Sequence, residues 1–550
     1  MTRKKADAPD PSDDGPPPAA PRTGRRKGRH SKQRRTHRLL IAAIAVVSLL
    51  IVGVGGAAGY AWYLNHKVKR IEVKGLTVAP AKGVDVGTEN ILLVGSTSRC
   101  ALAVQATVYG LCSQGVTGVN SDVIMILHLN PAVPSVSILS IPRDLFVPNA
   151  RIEGAYKIDA ALYEGPTQLV AAVEEDFGIP IQHFVELNFD SFGNVVNALG
   201  GISMYFPEPL YDAYSNLDIT TPGCHYLNGF QALAVVRARH LQYQPPGNTD
   251  PNPRDWPQEA QSDLARIQRD HEFLRVMASA VSKKGLGNPI TDEQLLSAIV
   301  GQLVVDNGFS LTDMVNLALT FHGVSVYGSP QLTLPVQVGQ FGNYYYRGGN
   351  YGDIEFPIQP LDRQTVDQFL GVSSTTDTMN GGPLPAPGSV TVSVLNGTGS
   401  YDQGPATSAA LGQLGFDMVG TGYTPSVGTR SETLVTYSQR TPADEAAAQA
   451  VASDISGAVT MAYGPTTDGA QVTVTTGSSF AVAAPTPPVS APTTSTSSAG
   501  SPTPTTAPAT TTTPTTTTPA STGFSAPTTS VEPLAAWDPR SCTPSGGEGP

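Results

Sequence analysis

Charged residues recur in short motifs between residues 122 and 266, and their chemistry suits a phosphorylated substrate. Arginine keeps its charge at any accessible pH and presents a planar fork of donors that matches phosphate oxygens. Several arginines converging on one pocket therefore predict a catalyst that acts on a diphosphate. The charged residues are Asp122, Arg143, Asp144, Arg237, Arg239, Asp263 and Arg266.

The elements predicted around these residues suggest how they meet. Arg143 and Asp144 directly follow the predicted strand SVSILSI (135–141), and loops at strand ends are where α/β sheets usually bind ligands. Arg237 and Arg239 stand two residues apart near a predicted helix end. Residues two apart cannot share one face of a continuing helix, so they are better explained as a fork at the helix terminus.

The third motif, SDLARIQRD, places Asp263, Arg266 and Arg269 at three-residue intervals, which predicts one stripe of a helix. Each motif also has a plain structural interpretation. An Asp–Arg pair at i,i+3 is usually a surface ion pair worth about 0.2–0.5 kcal/mol, an Arg-x-Arg pair is mostly solvated charge, and Asp122 suits a turn. The order of SIPRD, ALAVVRAR and SDLARIQRD along one chain favours a shared site.

Apolar runs of strand length alternate with helical patterns over the same region. Asp190 and Asn228 are suitable helix N-caps, and Gly200 with Gly201 would end a helix well. Interleaved strands and helices predict an α/β fold, a layered sheet flanked by helices. The predicted strands are 90–96, 122–129, 135–141, 183–189 and 202–206, and the predicted helices are 167–178, 190–201, 228–240 and 262–284.

The first 64 residues predict a membrane anchor with a basic cytoplasmic tail. Residues 1–38 hold 12 of the 34 Lys and Arg of the chain and cannot bury a core. Residues 39–64 carry no charge and exceed the roughly 20 residues that cross a bilayer, so the positive-inside bias puts the N-terminus in the cytoplasm. A cleaved signal peptide is the competing interpretation. The remaining chain would lie outside the cell membrane.

Composition divides the rest of the chain. Residues 65–87 are expected to be a connector and residues 88–380 the arginine-bearing unit, while the Gly- and Pro-rich residues 381–388 suit a linker. A small α/β unit is expected at 389–478, followed by a disordered Thr-, Pro- and Ser-rich tail at 479–550. Everything after residue 38 has a net charge of −19, which excludes nucleic-acid binding by general electrostatics.

All four cysteines follow the predicted anchor. Cys100 and Cys112 bracket eleven residues, a spacing that a disulfide can close in an oxidising exterior. Cys224 and Cys542 are harder to pair from sequence. No CxxC motif and no His-rich cluster is present, so a structural zinc site is not expected.

At this point the chain resembles a known family, the LytR-CpsA-Psr (LCP) proteins of bacterial cell envelopes. The resemblance covers roughly residues 88–285 and rests on NSDVIMI, SIPRDLFVP, the stretch Tyr156-Lys157-Ile158-Asp159, VELNFDSFGNVVNALGGI, and LNGFQALAVVRARH leading to SDLARIQRDHEFL. Residues 389–478 resemble the LytR C-terminal domain. The resemblance implies a phosphotransferase that moves a glycopolymer from a polyprenyl-diphosphate carrier to peptidoglycan through a phosphodiester bond.

The resemblance also assigns roles. Asp122 resembles a Mg²⁺ ligand, the diphosphate clamp corresponds to Arg143, Arg237, Arg239 and Arg266, and Asp144 and Asp263 resemble the acidic partners that orient the arginines or reach the metal through water. Family members commonly have Gln where Asp270 stands, and often Arg where this chain has Asn120 and Ser121. The polyprenyl chain would lie in an apolar slot, for which Phe184, Phe189, Phe192, Val195 and Val196 are candidates, although such residues are more often simple core.

Two other functional classes fit the same residues. A secreted pyrophosphatase would use the arginine clamp with water as the acceptor. A noncatalytic wall-binding or regulatory protein would use the C-terminal unit and the Thr-rich tail, with the arginines holding a polyanion. No motif distinguishes among the glycopolymers that reach the wall on lipid diphosphates.

Overall fold

The computed structural model describes most of the chain after residue 58. The residues described are 59–60, 62–79, 87–98, 100, 111–115, 118–259, 262–284, 297–321, 323–324, 329–337, 343–424, 432–478, 480–484 and 542. The predicted basic tail, nearly all of the predicted anchor and nearly all of the Thr-rich tail lie outside these residues. Among the residues described, no helix is both long enough and apolar enough to cross a bilayer.

The compact unit that begins at Leu64 contains the sheets and helices of the fold. Its strands are β1 (Lys69–Ile71), β2 (Glu89–Ser96), β3 (Ser121–Asn130), β4 (Ser135–Ser140), β5 (Phe146–Arg151), β6 (Gly154–Lys157), β7 (His183–Asn188), β8 (Ile202–Phe206), β9 (Leu210–Asp212), β10 (Leu217–Ile219), β11 (Gly223–Leu227), β12 (Gln242–Tyr243), β13 (Val304–Asp306), β14 (Gln331–Thr333), β15 (Val336–Gln337), β16 (Tyr345–Tyr346), β17 (Gly349–Asn350), β18 (Phe356–Gln359), β19 (Thr391–Asn396), β20 (Asp417–Tyr423), β21 (Thr433–Tyr437), β22 (Ile455–Tyr463), β23 (Val472–Thr476) and β24 (Phe480–Val482). Its α-helices are α1 (Pro166–Phe177), α2 (Phe189–Ala198), α3 (Gly229–Arg237), α4 (Ser262–Lys284), α5 (Leu311–Phe321), α6 (Leu361–Leu370), α7 (Gln403–Gln413) and α8 (Pro442–Ser453).

A mixed sheet lies at the centre of the larger part, in the order β1-β13-β7-β2-β3-β4-β14. Its middle strands β2, β3 and β4 pair antiparallel, whereas β7 pairs parallel to β2. Helices flank this sheet, so the predicted α/β class is confirmed. The predicted strands and helices are present with end shifts of at most three residues, the largest being the ends of α2 at Ala198 and α3 at Arg237, each three residues earlier than predicted.

The two faces of the central sheet have different tasks, because side chains alternate between the faces of a strand. On β2, Leu92 and Val94 point into a core that also contains Leu169 and Val173 of α1. Leu93 points to the opposite face and lines a cavity. One face therefore builds the core, and the other face is left for a site.

Helices α2, α3 and α4 cover the second face together with the two-stranded sheet of β8 and β11. Helices α2 and α3 cross at Gly193 and Gly229, where a Cβ atom on Gly229 would lie 2.1 Å from the Gly193 carbonyl oxygen. Only glycine permits this approach, which lets the start of α3 pack directly against the middle of α2.

Helix caps explain where these helices begin. Asn228 caps α3 as predicted, in a capping box with Gln231. The prediction that Asp190 caps α2 is wrong, because Asn188 accepts the hydrogen bond from the backbone N–H of Ser191 and Asp190 lies in the first turn. Both residue types cap helices well, so their types alone did not distinguish them.

A second sheet forms the C-terminal part, in the order β15-β18-β22-β21-β23-β19-β20, with β24 also pairing with β22. Helices α7 and α8 pack against it. Strand β18 precedes the predicted linker, yet Ile358 pairs with Ala458 of β22. The C-terminal sheet therefore includes two strands, β15 and β18, from upstream of residues 381–388, and the domain boundary stays a prediction.

Helices α1, α6 and α8 meet in a cluster of acidic side chains that we call the carboxylate seam, defined by Glu174, Glu175, Asp176, Asp362 and Glu445. The seam lies where the central part packs against the C-terminal sheet. The Arg363 guanidinium on α6 donates to the Gln449 side chain on α8 at 2.8 Å, and the Thr378 hydroxyl donates to the Gly178 carbonyl.

All four cysteines are paired. Cys100 and Cys112 form the disulfide expected from their spacing, with an S–S distance of 2.00 Å. Cys224 on β11 forms a second disulfide with Cys542, across 318 residues of sequence. The sequence left the pairing of Cys224 and Cys542 open. In the structure their disulfide joins the C-terminal tail to the two-stranded sheet of β8 and β11.

Candidate functional site

A cavity of about 340 Å³ lies between the second face of the central sheet and helices α2, α3 and α4. One end is charged and the other apolar. The charged residues in its lining comprise four arginines and two aspartates, so the cavity favours an anion. They are Arg143, Arg237, Arg239, Arg266, Asp122 and Asp270.

Arg143 enters the cavity from the end of β4. Pro142 lacks a backbone N–H and leads the chain out of the sheet before it. The Arg143 guanidinium donates a hydrogen bond to the Asp122 carboxylate on β3. These two predicted site residues therefore form an ion pair in which both side chains are less than a quarter exposed.

Asp144 lies behind the arginines, outside the cavity lining. Its carboxylate accepts a hydrogen bond from Lys157 at 2.8 Å and lies 3.5 Å from the guanidinium nitrogens of Arg143 and Arg239. Burial alone would raise the pKa of Asp144, but the positive charges of Arg143, Lys157 and Arg239 outweigh burial and lower it. The Asp144 carboxylate therefore contacts Lys157 and two arginines, and its assignment as an acidic partner of the arginines stays a prediction.

Arg237 and Arg239 form a fork at the end of α3. The helix ends at Arg237, and Ala238 adopts an extended conformation with ψ of 122°. The turn sends both side chains into the same cavity, although their spacing would separate them on a continuing helix. The Arg237 guanidinium lies 4.6 Å above the ring centre of Phe189, at the border between the charged and apolar ends.

Two buried charges hold the turn of this fork. The Asp212 carboxylate accepts hydrogen bonds from the backbone N–H groups of Arg239 at 2.8 Å and His240 at 3.0 Å. The Arg269 guanidinium donates to the Ala238 carbonyl and pairs with Glu259. Three consecutive backbone groups are therefore fixed by ionised partners, which make stronger hydrogen bonds than neutral ones.

Arg266 and Arg269 lie three residues apart on α4 but have different partners. Arg266 lines the cavity, whereas Arg269 does not, because its guanidinium is occupied by Glu259 and Ala238. The Arg266 guanidinium donates to the Asp122 carbonyl at 2.8 Å and lies 3.8 Å from the Asp270 carboxylate. Asp263 lies on the same helix, but its side chain is outside the described residues, so its role stays a prediction.

The apolar end of the cavity agrees in part with the predicted lipid slot. Phe189, Phe192 and Val195 line it, whereas Phe184 and Val196 do not and are fully buried in the two cores. The remaining apolar lining comes from the sheet and from α3 and α4. These residues are Leu93, Val94, Val123, Met125, Leu187, Leu233, Val236, Phe273, Leu274 and Met277.

The donors near the charged end suit one mode of Mg²⁺ binding. Among the described residues there is no cluster of three or more His, Cys, Asp or Glu side chains able to hold a metal. Asp122 and Asp270 do line the cavity. Mg²⁺ commonly binds one or two carboxylates together with substrate phosphates, so these two residues fit that mode and not a cage made by the protein alone.

Reasoning from sequence missed several residues that shape this site. Lys157 and Asp159 belong to the stretch quoted for the resemblance, yet neither was assigned a role. Burial raises the pKa of Asp159 to about 6, against the opposing charge of Arg143. Asp212 carried no motif that could have identified it, because its importance comes from backbone groups far away in sequence.

Comparisons with known proteins identify the family. A model of the LytR_cpsA_psr family matches residues 63–353, more than half of the chain. The chain belongs to the LytR_cpsA_psr family. A second model, described as LytR cell envelope-related transcriptional attenuator, matches residues 389–480. The LCP site therefore lies within the first matched region, and the C-terminal sheet lies largely within the second.

Relatives of this LCP protein have names from cell wall synthesis. It is 33% identical over 332 residues to the probable cell wall biosynthesis protein LcpB of Corynebacterium glutamicum, covering 60% of this chain and 71% of that protein. It is 29% identical over 216 residues to the polyisoprenyl-teichoic acid–peptidoglycan teichoic acid transferase TagU of Bacillus subtilis, covering 38% of this chain and 65% of that protein.

One solved structure similar to this chain is that of a LytR-Csp2A-Psr enzyme from Actinomyces oris. It shares 25% sequence identity with this chain at a TM-score of 0.42, over 56% of this chain and 96% of that one.

Proposed function

We propose that this LCP protein is a phosphotransferase that moves a glycopolymer from a polyprenyl-diphosphate carrier to peptidoglycan and joins them by a phosphodiester bond. The observation that carries the proposal is the shape of the cavity. Arginines from three separate segments meet at one end, and apolar side chains from the sheet and three helices form the other. A polyprenyl diphosphate has the same division into an anionic head and an apolar chain.

The family supports the proposal. The TagU relative is named as a transferase that acts between polyisoprenyl-teichoic acid and peptidoglycan. LcpB is named for cell wall biosynthesis. A donor of the same chemical class, a glycopolymer on a polyprenyl diphosphate, would suit the cavity of this chain.

The proposed reaction transfers the phosphoryl group that carries the glycopolymer. An acceptor hydroxyl of peptidoglycan gives its proton to the solvent as its oxygen forms a bond to the phosphorus, and the phosphoanhydride bond to the polyprenyl phosphate breaks. Arg143, Arg237 and Arg239 neutralise the negative charge that develops on the transferred group and on the leaving phosphate. The polyprenyl phosphate leaves with the electron pair of the broken bond.

Further residues prepare the arginines for this task. Asp144 stays ionised and orients Arg143 and Arg239 before the substrate arrives, which lowers the cost of arranging them in the transition state. Mg²⁺, held by Asp122 and Asp270 together with the diphosphate, would supply additional positive charge for the leaving phosphate.

The same proposal places the chain at the cell membrane. Residues 39–64 would anchor it as a single pass with the N-terminus in the cytoplasm and the cavity outside, where both peptidoglycan and the lipid-linked donor are available. The basic residues 1–38 would act as the topology signal.

The experiment that tests the proposal incubates the purified chain with Mg²⁺, a short lipid-linked donor and peptidoglycan fragments, followed by mass spectrometry of the products. The expected product has the mass of the phosphodiester-linked conjugate, and chelation of Mg²⁺ should reduce its yield. Release of phosphorylated polymer at the same rate without peptidoglycan would identify a pyrophosphatase instead. Binding without turnover would identify a noncatalytic protein.

A further inference from the structure

Two aromatic side chains stand at the rim of the cavity beside the arginine fork. Tyr214 and His240 both line the cavity, and their ring centres lie 4.4 Å apart with a tilt of 40°. The Tyr214 side chain is 71% exposed, so its ring contributes little burial to the fold. Neither residue is used in the phosphoryl transfer described above.

The backbone beneath these rings is fixed by one buried carboxylate. Asp212 is fully buried, and one of its oxygens accepts from the N–H groups of Tyr214 at 2.8 Å and Ser215 at 3.2 Å. The other oxygen accepts from the N–H groups of Arg239 and His240. A single side chain thus fixes the backbone that carries both rings next to an arginine of the clamp.

This arrangement suits a sugar ring. The face of the Tyr214 ring is electron-rich and attracts the slightly positive C–H bonds on the face of a sugar, while the sugar hydroxyls remain in water. The adjacent His240 ring extends this flat surface. An exposed aromatic pair of fixed geometry pays little ordering entropy when it binds, since its backbone is already held. A polyprenyl chain would fit better among the apolar side chains at the other end of the cavity.

We propose that Tyr214 and His240 form a subsite for the first sugar ring of the donor, the ring bonded directly to the diphosphate that the arginine fork holds. The inference rests on the proposed function and deepens it. The first sugar lies next to the terminal phosphate in any such donor, and the two rings lie next to Arg239 in this site. Asp212 is the positioning residue of the subsite.

The test measures the binding of two matched soluble probes, a short-chain polyprenyl diphosphate and the same molecule carrying one N-acetylglucosamine. One common sugar is sufficient because stacking uses ring C–H bonds that pyranoses share. Tyr214→Ala should weaken binding of the glycosylated probe by about three- to tenfold, and leave binding of the bare diphosphate unchanged. Tyr214→Phe, which keeps the ring, should restore the affinity.

A matched control is Tyr401→Ala, because Tyr401 is 98% exposed in the C-terminal part and lines no cavity described above. It should change the affinity for neither probe. The inference is overturned if Tyr214→Ala weakens both probes equally, weakens neither, or raises only the KM for the peptidoglycan acceptor in the transfer assay. Failure of the bare diphosphate to bind the wild-type protein would instead contradict the proposed function, so the two failures are distinguishable.

Discussion

Arginines dominate the cavity and carboxylates dominate the carboxylate seam, and the two regions differ in how these charges are balanced. In the cavity, about 340 Å³ of space is open to a ligand, and the arginines hold Asp144 in its ionised form. In the seam, the space between Asp176 and Asp362 is about 20 Å³, enough for a single water. Among the described residues, neither carboxylate oxygen of Asp176 has a hydrogen-bond partner.

The pKa values follow this difference. Burial raises the pKa of Glu174 to about 8 and the pKa of Asp362 and Glu445 to about 7 each. In the cavity, positive neighbours overcome the same effect of burial on Asp144. The arginines open onto a cavity, so a ligand of opposite charge can bind there and balance them. The carboxylates of the seam have no such space and are neutralised by binding protons. The first is suited to binding and the second to a pH-dependent contact.

Removing arginines from the two regions should have very different effects on transfer. Arg237→Ala combined with Arg239→Ala should lower the transfer rate by about a thousandfold or more, because even one lost donor to transition-state charge commonly costs 10² to 10³. The rate is measured by conjugate formation in the assay described above. Arg440, whose guanidinium pairs with Glu175 of the seam, provides the matched control. Arg440→Ala should change the rate by less than about twofold, since its side chain is 58% exposed and remote from the cavity lining.

A smaller effect is expected from the buried support of the fork. Arg269→Lys keeps a positive charge for Glu259 but loses the planar fork that also reaches the Ala238 carbonyl. We expect kcat to fall by about ten- to a hundredfold through misplacement of Arg237 and Arg239, with little change in KM. Steady-state kinetics and a thermal melt would check this. A loss of kcat that matches a loss of folded protein would show that Arg269 has only a structural role.

The seam should make stability depend on pH. A carboxyl group whose pKa is raised in the folded state contributes its full stability below its unfolded pKa, near 4, and loses it as pH rises through the folded value. Glu174, Asp362 and Glu445 therefore predict a Tm that falls as the pH rises from about 4 to about 8.

Glu174→Gln tests the largest of these pKa shifts. Glutamine can still accept the hydrogen bond that Glu174 receives from the backbone N–H of Ile181 at 2.9 Å, but it does not titrate. The variant should lose less Tm over the same pH range than the wild type. Equal pH slopes in the two proteins would show that Glu174 does not titrate in this range.

Much of the site could be predicted because short stretches of sequence determine where its strands and helices end. The predicted strand and Pro142 placed Arg143 in the loop at a strand end. The spacing of Arg237 and Arg239 predicted that the helix ends there. The bounds of α4 match the predicted helix, 262–284. These features depend on strand and helix periodicity and on chain breakers within a few residues, which sequence expresses directly.

The remainder depends on contacts between distant segments. Arg266 and Arg269 are neighbours on one helix surface, and only the Glu259 carboxylate and the Ala238 carbonyl decide that Arg269 supports the cavity without entering it. Asp212 gains its role from N–H groups 27 and 28 residues later. The pairing of β18 with β22 spans about a hundred residues, and strand propensity does not specify a partner.

The most direct test of the central claim is whether the arginine cavity recognises a diphosphate head. Calorimetric titration of the purified chain with short-chain polyprenol, polyprenyl monophosphate and polyprenyl diphosphate should give affinities that rise by at least about tenfold with each phosphate, since hydrogen bonds to charged groups are worth roughly 1.5–3 kcal/mol. Arg237→Ala with Arg239→Ala should remove most of this rise. Equal affinity for all three ligands, or a rise that survives in the double variant, would contradict the account.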